Sequence, residues 1–161
     1  MKTILTVLGM AAAIGPLSDT AVAASLGSKS TLTLEVAKRA TSIAMTQAHA
    51  KGGKIAVSVV DDGGHLIYFE RDDGVAYGMA DASLRKAQTA ASVGFSTRAL
   101  EDQIMQGHTG YLSLPGALPL EGGIPIVVKG VLIGAIGVAG GNSPDDGVAA
   151  KAGAETISAG Q

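Results

Sequence analysis

The sequence predicts a single α+β domain in which an antiparallel sheet of about five strands is flanked by helices. Two observations predict this class. Segments with helical patterning alternate with segments rich in β-branched residues, in the order helix, two strands, two helices, two strands, helix. Each pair of strands is also joined by a short glycine-containing turn. Paired hairpins separated by helices favour an antiparallel sheet covered by helices over a parallel, doubly wound sheet.

The length and composition limit both the architecture and the partners. A chain of 161 residues is typical of one domain, which can bury enough apolar surface to fold without a disulfide or a metal. Only 3% of residues are aromatic and 23 are glycine, so we expect close packing of small residues. The net charge of -2 argues against nucleic acid as a partner. The absence of cysteine excludes disulfides, thiolate catalysis and cysteine-ligated zinc or haem.

The N-terminal residues have the pattern of a secretory signal peptide. Lys2 is a short positive region, Ile4–Ile14 is apolar, and Ala21–Ala23 fits a small-residue cleavage site. The apolar run is too short to span a bilayer. We therefore predict a signal peptide at residues 1–23, a linker at 24–30 and a single domain at 31–161, exported to the periplasm or secreted, with no membrane span in the mature chain. A buried N-terminal helix is the alternative.

The first predicted helix has recognisable ends. Thr33 is a plausible N-cap, Glu35 in the first turn suits the helix dipole, and Lys51–Gly53 provides a glycine stop. The residues near one face, which we expect to pack on the sheet, are Val36, Ala40, Ile43, Ala44 and Gln47.

Four predicted strands form two hairpins, which turn at Asp61–Gly64 and at Lys129–Gly130. The strands are Lys54–Asp61, His65–Arg71, Ile124–Val128 and Val131–Val138. A fifth short strand could lie within Tyr111–Leu120, inside a segment that is otherwise rich in glycine and proline.

Three more helices are predicted, at Met79–Val93, from Ser96 or Thr97 to about Gln106, and at Val148–Ala159. The first of them has a low-relief face suited to close packing, made of Leu84, Ala87, Ala90 and Ala91. Ala139–Gly147 is predicted to be a glycine-rich loop before the last helix.

Five segments of the chain resemble the GlcG/HbpS family, also known as the haem-degrading or PduO C-terminal-like domain family. They recur in the order found in the family, and they are Leu32–Ala37, Val59–Leu66, Lys86–Ala91, Gly122–Ile126 and Gly134–Gly140. One segment departs from the family pattern. The family has an acidic pair preceded by glutamine, whereas this chain has Ser143-Pro144-Asp145-Asp146-Gly147, so the acidic pair is present without the glutamine. We still expect a helix start at that point, since Pro144 fits the first turn.

The resemblance implies a profilin-like fold, assembly into homo-oligomers that are often octamers, and haem or a related tetrapyrrole as the ligand. Function varies on this fold, so the site has to be argued from its residues. Haem needs an apolar slot, an axial ligand and cations for its propionates.

His49 is the leading candidate for the ligand of haem iron. It lies near the end of the first helix, away from the predicted packing face, and Met45 lies one turn earlier. The two side chains would form an exposed ridge that could contact haem or a partner subunit. The alternative is a surface histidine that interacts favourably with the helix dipole.

The other two histidines have different surroundings. His108 leads into the glycine- and proline-rich segment, and loops of this kind often carry binding residues, so it is a further candidate for cofactor binding. His65 follows the first hairpin turn, where a structural or interface hydrogen bond is expected. Three cations, which are either propionate partners or part of a solvated face, are Arg85, Lys86 and Arg98.

Three functions follow as hypotheses. The first is an exported, oligomeric haem-binding protein for haem capture or redox sensing. The second is an enzyme that acts on a small molecule or degrades haem, with His108 paired to Glu121 or Asp102. The third is a structural or sensory module. No spacing typical of zinc, dinucleotide or serine-hydrolase sites is present.

Overall fold

The computed structural model describes residues 29–159, so the predicted signal peptide and most of the predicted linker lie outside the described residues. The elements, in chain order, are α1 (Leu34–His49), β1 (Ala56–Asp61), β2 (Leu66–Arg71), α2 (Tyr77–Val93), α3 (Thr97–Met105), a 3-10 helix (Thr109–Ser113), β3 (Gly123–Val128), β4 (Val131–Ala139) and α4 (Ser143–Ala159).

The α+β prediction is confirmed, with four strands instead of about five. The strands form one antiparallel sheet in the order β2-β1-β4-β3. The suggested fifth strand at Tyr111–Leu120 is wrong: the 3-10 helix occupies its first part. Thr33 and Ser96 cap α1 and α3 with their hydroxyl oxygens, as their positions predicted.

The last helix begins five residues earlier than predicted, at Ser143 instead of Val148. The side chain of Asn142 accepts a hydrogen bond from the backbone N–H of Asp145 at 3.0 Å, which caps the new first turn. Pro144 fits this turn because its missing N–H would have no partner within the helix. The predicted glycine-rich loop is therefore much shorter than Ala139–Gly147.

Helices cover both faces of the sheet. On one face α1 and α4 pack against each other and on the sheet, over the larger part of the core. On the other face α2 crosses β1, β4 and β3. Its buried apolar residues are all alanines, so the predicted low-relief face is confirmed, although Leu84 is only partly buried. The close approach depends on Gly137 of β4, where an added Cβ would overlap the carbonyl oxygen of Ser83.

The face of α1 that is buried differs from the predicted one. Its buried residues are Ala37, Ala40, Thr41, Ala44, Met45 and Ala48. Val36 and Ile43 are only half-buried. The reason is the neighbouring helix: a Cβ added to Gly153 of α4 would lie 2.7 Å from the carbonyl oxygen of Ala40. Two helices can approach this closely only along small side chains. α1 is therefore rotated about its axis relative to the prediction, and this places Met45 in the core.

No helix within residues 29–159 is long and apolar enough to cross a membrane.

Candidate functional site

His49 is the last residue of α1, and its side chain is 49% exposed. Its Nε2 lies 2.9 and 3.0 Å from the two carboxylate oxygens of Asp72. Asp72 directly follows β2, so the pair joins the end of α1 to the end of an edge strand. The carboxylate therefore fixes the orientation of an imidazole that remains open to solvent on one side.

Asp72 is itself held in place by Ile55, the residue before β1. The backbone N–H of Ile55 donates to Asp72 Oδ2 at 2.9 Å, and the N–H of Asp72 donates to the carbonyl oxygen of Ile55 at 3.0 Å. Burial alone would raise the pKa of Asp72, but the bonds from Ile55 and His49 and the charges of His49 and Lys54 lower it below its usual value. The carboxylate is thus kept ionised beside the imidazole.

Met45 does not accompany His49 on the surface. Its side chain is only 7% exposed and belongs to the main core cluster. The predicted exposed ridge of His49 and Met45 is therefore wrong. The close contact of α1 with α4 rotates the buried face of the helix away from the predicted one, so that Met45 points inward. A thioether ligand from Met45 would require the core to open.

His108 lies away from this pair, directly before the 3-10 helix. It is exposed and lines an open cavity of about 450 Å³ together with Gly110, Tyr111 and Leu114. This surface is apolar apart from the imidazole and the tyrosine hydroxyl, and it includes neither His49 nor Met45. The structure thus does not bring the three predicted site residues together.

The predicted pairing of His108 with Glu121 or Asp102 is also wrong. Both carboxylates bind the guanidinium of Arg98 instead, at 2.8 Å each. The bonds to Glu121 and Asp102 raise the pKa of Arg98 above its ordinary value. Arg98 therefore serves as a bridge between α3 and the segment before β3, and it is not a free cation for a propionate.

His65 has the structural role that its position suggested. Its Nδ1 lies 3.2 Å from Asp61 Oδ2, and its backbone N–H donates to Asp61 Oδ1 at 2.8 Å. The backbone N–H of Gly63 donates to the same Oδ1 at 2.9 Å. The backbone bond from His65 is the largest cause that lowers the pKa of Asp61. These contacts shape the turn between β1 and β2.

Lys86, which the sequence suggested as a propionate partner or a solvated residue, is buried. Its Nζ lies 2.9 Å from Asp146 Oδ2 and 3.0 Å from the carbonyl oxygen of Val138. The lysine and aspartate side chains are 3% and 4% exposed. The pair joins α2 to the start of α4 across the end of β4. This buried ion pair is not predicted from the sequence. The one local indication of it is a lysine, Lys86, within an alanine-rich helix.

Within residues 29–159, no three histidine, aspartate or glutamate side chains come together as a metal site. The His49–Asp72 pair therefore stands without a third ligating side chain among the described residues.

Comparisons with known proteins agree with the fold and with the resemblance. The family model described as "Haem degrading protein HbpS-like" matches residues 32–155. Protein GlcG of Escherichia coli (strain K12) is 39% identical over 92 residues, which are 57% of this chain and 69% of that protein. An uncharacterized 15.0 kDa protein of Citrobacter freundii, from the dhaT-dhaS intergenic region, is 32% identical over 125 residues, 75% of this chain and 88% of that protein.

A solved structure extends the comparison to three dimensions. The crystal structure of a double mutant of Streptomyces reticuli HbpS superposes with a TM-score of 0.76 at 36% sequence identity. The match covers 88% of this chain and 99% of that one. The sequence and fold comparisons agree, and the protein belongs to the HbpS-like family.

Proposed function

We propose that this protein is an exported, oligomeric haem-binding protein in which His49 is the axial ligand of the iron. The observation that carries the proposal is the half-exposed imidazole of His49, held by both oxygens of Asp72. A histidine that ligates a metal usually has its other ring nitrogen bonded to a carboxylate or carbonyl, which fixes the ring and increases its basicity. Membership of the HbpS-like family supports haem as the ligand.

The surroundings of His49 offer two further features that haem requires. Lys54 is exposed, and its charge helps to lower the pKa of Asp72. Its ammonium donates to the carbonyl oxygen of Asp73 at 3.1 Å. Its ammonium could exchange that bond for a propionate. Tyr77, at the start of α2, is 88% exposed with its ring beside Arg71, so a large aromatic surface is available at this end of the sheet.

Haem binding at His49 would depend on oligomer assembly. The porphyrin is mostly apolar and binds best in a cavity that removes most of its surface from water. The imidazole of His49 lies on an open surface of the single chain. A second subunit would have to cover the other side of the porphyrin, so we propose that assembly completes the site.

The test is a haemin titration followed by absorbance. We expect a Soret band that differs from that of free haemin, and we expect His49→Ala to alter or abolish it. His108→Ala is the matched control, because it removes an exposed imidazole that lies beside another apolar cavity. Asp72→Asn should keep the band but weaken affinity by about tenfold or more, as loss of an outer-shell carboxylate does.

Each outcome has a definite meaning. If His108→Ala removes the band and His49→Ala does not, His49 is excluded as the ligand. If the wild-type spectrum equals that of free haemin, haem binding is refuted and a structural or sensory role becomes the better hypothesis.

Haem degradation is the second candidate, because the matching family model carries that description. Incubation of the haem complex with a reductant in air should then bleach the Soret band and release iron. A band that persists under these conditions excludes degradation and leaves binding intact.

Export and assembly are tested separately. Cell fractionation should find a chain without its first 23 residues outside the cytoplasm. Light scattering on the purified protein should give a mass well above that of one chain. A cytoplasmic, unprocessed chain or a strict monomer would contradict the respective part of the proposal.

A further inference from the structure

A second cleft, of about 350 Å³, lies at the other end of β1 from His49. It is formed by the turn between β1 and β2, the C-terminal half of α2 and a short loop segment after the 3-10 helix. Its lining includes Asp62, Gln88, Ser92, Val93, Pro115 and Ala117. Its volume is within the range of small-molecule sites.

The walls of the cleft are fixed by two adjacent residues of α2. The Nε2 of Gln88 donates to the carbonyl oxygen of Gly64 at 3.1 Å, which ties the turn to the helix. The hydroxyl oxygen of Thr89 accepts the N–H of Leu118 at 2.9 Å, which ties the loop segment to the same helix. A site whose walls are already in place loses less conformational freedom on binding, which favours affinity for small ligands.

The turn that forms one wall is also internally fixed. Asp61 Oδ1 accepts the backbone N–H groups of Gly63 and His65, and Gly64 has a φ of +82°, a conformation that glycine adopts without strain. The backbone that carries Asp62 is therefore held in place.

The chemistry of the lining selects for the charge of the ligand. Asp62 is the one charged residue among the described residues that line the cleft. Gln88 donates one N–H of its Nε2 to Gly64, which leaves its carbonyl oxygen and its second N–H for a ligand. The hydroxyl of Ser92 can donate or accept, so among the lining residues the carboxylate of Asp62 alone sets a charge preference, and it disfavours an anion.

The structure also shows that a primary amine can reach Asp62. The ammonium of Lys29 forms an ion pair with Asp62 Oδ2, although the lysine side chain remains 61% exposed. An ion pair this exposed contributes little and exchanges readily. A free amine could therefore replace the lysine at the same carboxylate.

We propose that this cleft binds a small organic primary amine. The ammonium of the ligand lies on the carboxylate of Asp62, and its short apolar chain packs on Val93, Pro115 and Ala117. The site is separate from the proposed haem site and does not depend on it.

The test uses three ligands of the same chain length and different charge. Butylamine, 1-butanol and butyrate are titrated into the full protein at neutral pH, where the amine is protonated. Binding is followed by the backbone amide NMR resonances of Gly63, Gly64 and Gly116. We expect saturable shifts with butylamine, and at least about tenfold weaker binding of the alcohol and the acid, because each lacks the charge-assisted bond.

Two variants test the role of the carboxylate from opposite directions. Asp62→Asn should weaken butylamine binding by about tenfold or more, whereas Lys29→Ala should strengthen it by removing the internal competitor. Asp81→Asn is the matched control, since it makes the same change at an exposed carboxylate of α2 outside the cleft. If Asp62→Asn does not fold, the comparison of butylamine with butyrate on the unaltered protein decides.

The proposal is overturned if butyrate binds as well as butylamine, or if neither Asp62→Asn nor Lys29→Ala changes the affinity. It is also overturned if haemin shifts the same amides in saturable fashion, because the cleft would then belong to the tetrapyrrole.

Discussion

Replacing Lys86 by methionine should destabilise the protein more than any change to its surface charges. The side chain is 3% exposed, and its ammonium contacts Asp146 at 2.9 Å and the Val138 carbonyl oxygen at 3.0 Å. Methionine keeps most of the length and volume of lysine but removes the charge. Asp146 is then left as a buried carboxylate without its cation.

The expected loss is about 3 kcal/mol in the free energy of unfolding. Removing one partner of a buried ion pair typically costs about 3–5 kcal/mol. We expect the lower end, because Asp146 Oδ1 keeps the bond from the backbone N–H of Gly141 at 2.9 Å. For a domain of this size the loss corresponds to a fall in Tm of roughly 10 °C.

Urea unfolding followed by circular dichroism measures this loss. Lys151→Met is the matched control, because Lys151 forms a 3.6 Å pair with Glu155 in which both side chains are 66% exposed, and little change is expected there. The double variant Lys86→Met with Asp146→Asn should lose less than the sum of the single variants, by about 2 kcal/mol, because no buried charge remains. A loss below about 1 kcal/mol for Lys86→Met, or strict additivity, would refute the reasoning.

Three further changes test other parts of the fold by the same unfolding measurement. Gly137→Ala should lose about 3 kcal/mol because the added methyl overlaps the backbone of Ser83, and a neutral result would disprove the close packing of α2. Asp72→Asn should be destabilised at neutral pH but approach the parent in acid: the lowered pKa of Asp72 means that its contribution is present above the ordinary value of 3.8 and lost as the pH falls through the lowered one. An unchanging difference down to low pH would contradict this. Thr33→Ala should cost about 1 kcal/mol through loss of the bond from the Val36 N–H, whereas Thr33→Ser should cost little.

The strands and turns could be predicted from the sequence because their signals are local. β-branched residues mark β1 and β4, and both hairpin turns carry glycines with positive φ, Gly64 and Gly130. The start of α4 is harder to predict, because Asn142, the residue that caps it, follows glycines that are typical of a loop.

The buried face of α1 differs from the predicted one for a physical reason. Periodicity gives weight to large apolar side chains such as Val36 and Ile43, which suggested the buried face. The neighbour of α1 is another helix, and its backbone approaches so closely at Ala40 and Gly153 that small residues form the contact. The position of Met45 follows from that contact, and no local pattern reports it.

The candidate site could be predicted only in part. The position of His49 near a helix end followed from the helical pattern, but Asp72 is 23 residues away in the chain, and Asp146 is 60 residues from Lys86. Pairs at such separations arise from strand order and helix packing, which a single sequence does not specify. His108 lies in an exposed segment, but the two carboxylates predicted to pair with it, Glu121 and Asp102, both bind Arg98.

The two proposed ligand sites lie at opposite ends of one central strand, and this geometry predicts how they interact. Asp72 is bonded to Ile55 just before β1, and Asp61 at the other end of β1 shapes the turn that carries Asp62. Six residues of extended chain separate the two ends by about 20 Å. The strand between them is buried and paired on both sides, with β2 and β4, so a displacement at one end would have to break sheet hydrogen bonds to reach the other. Asp62→Asn should therefore leave haemin binding unchanged, and His49→Ala should leave butylamine binding unchanged, because effects at sites this far apart are independent.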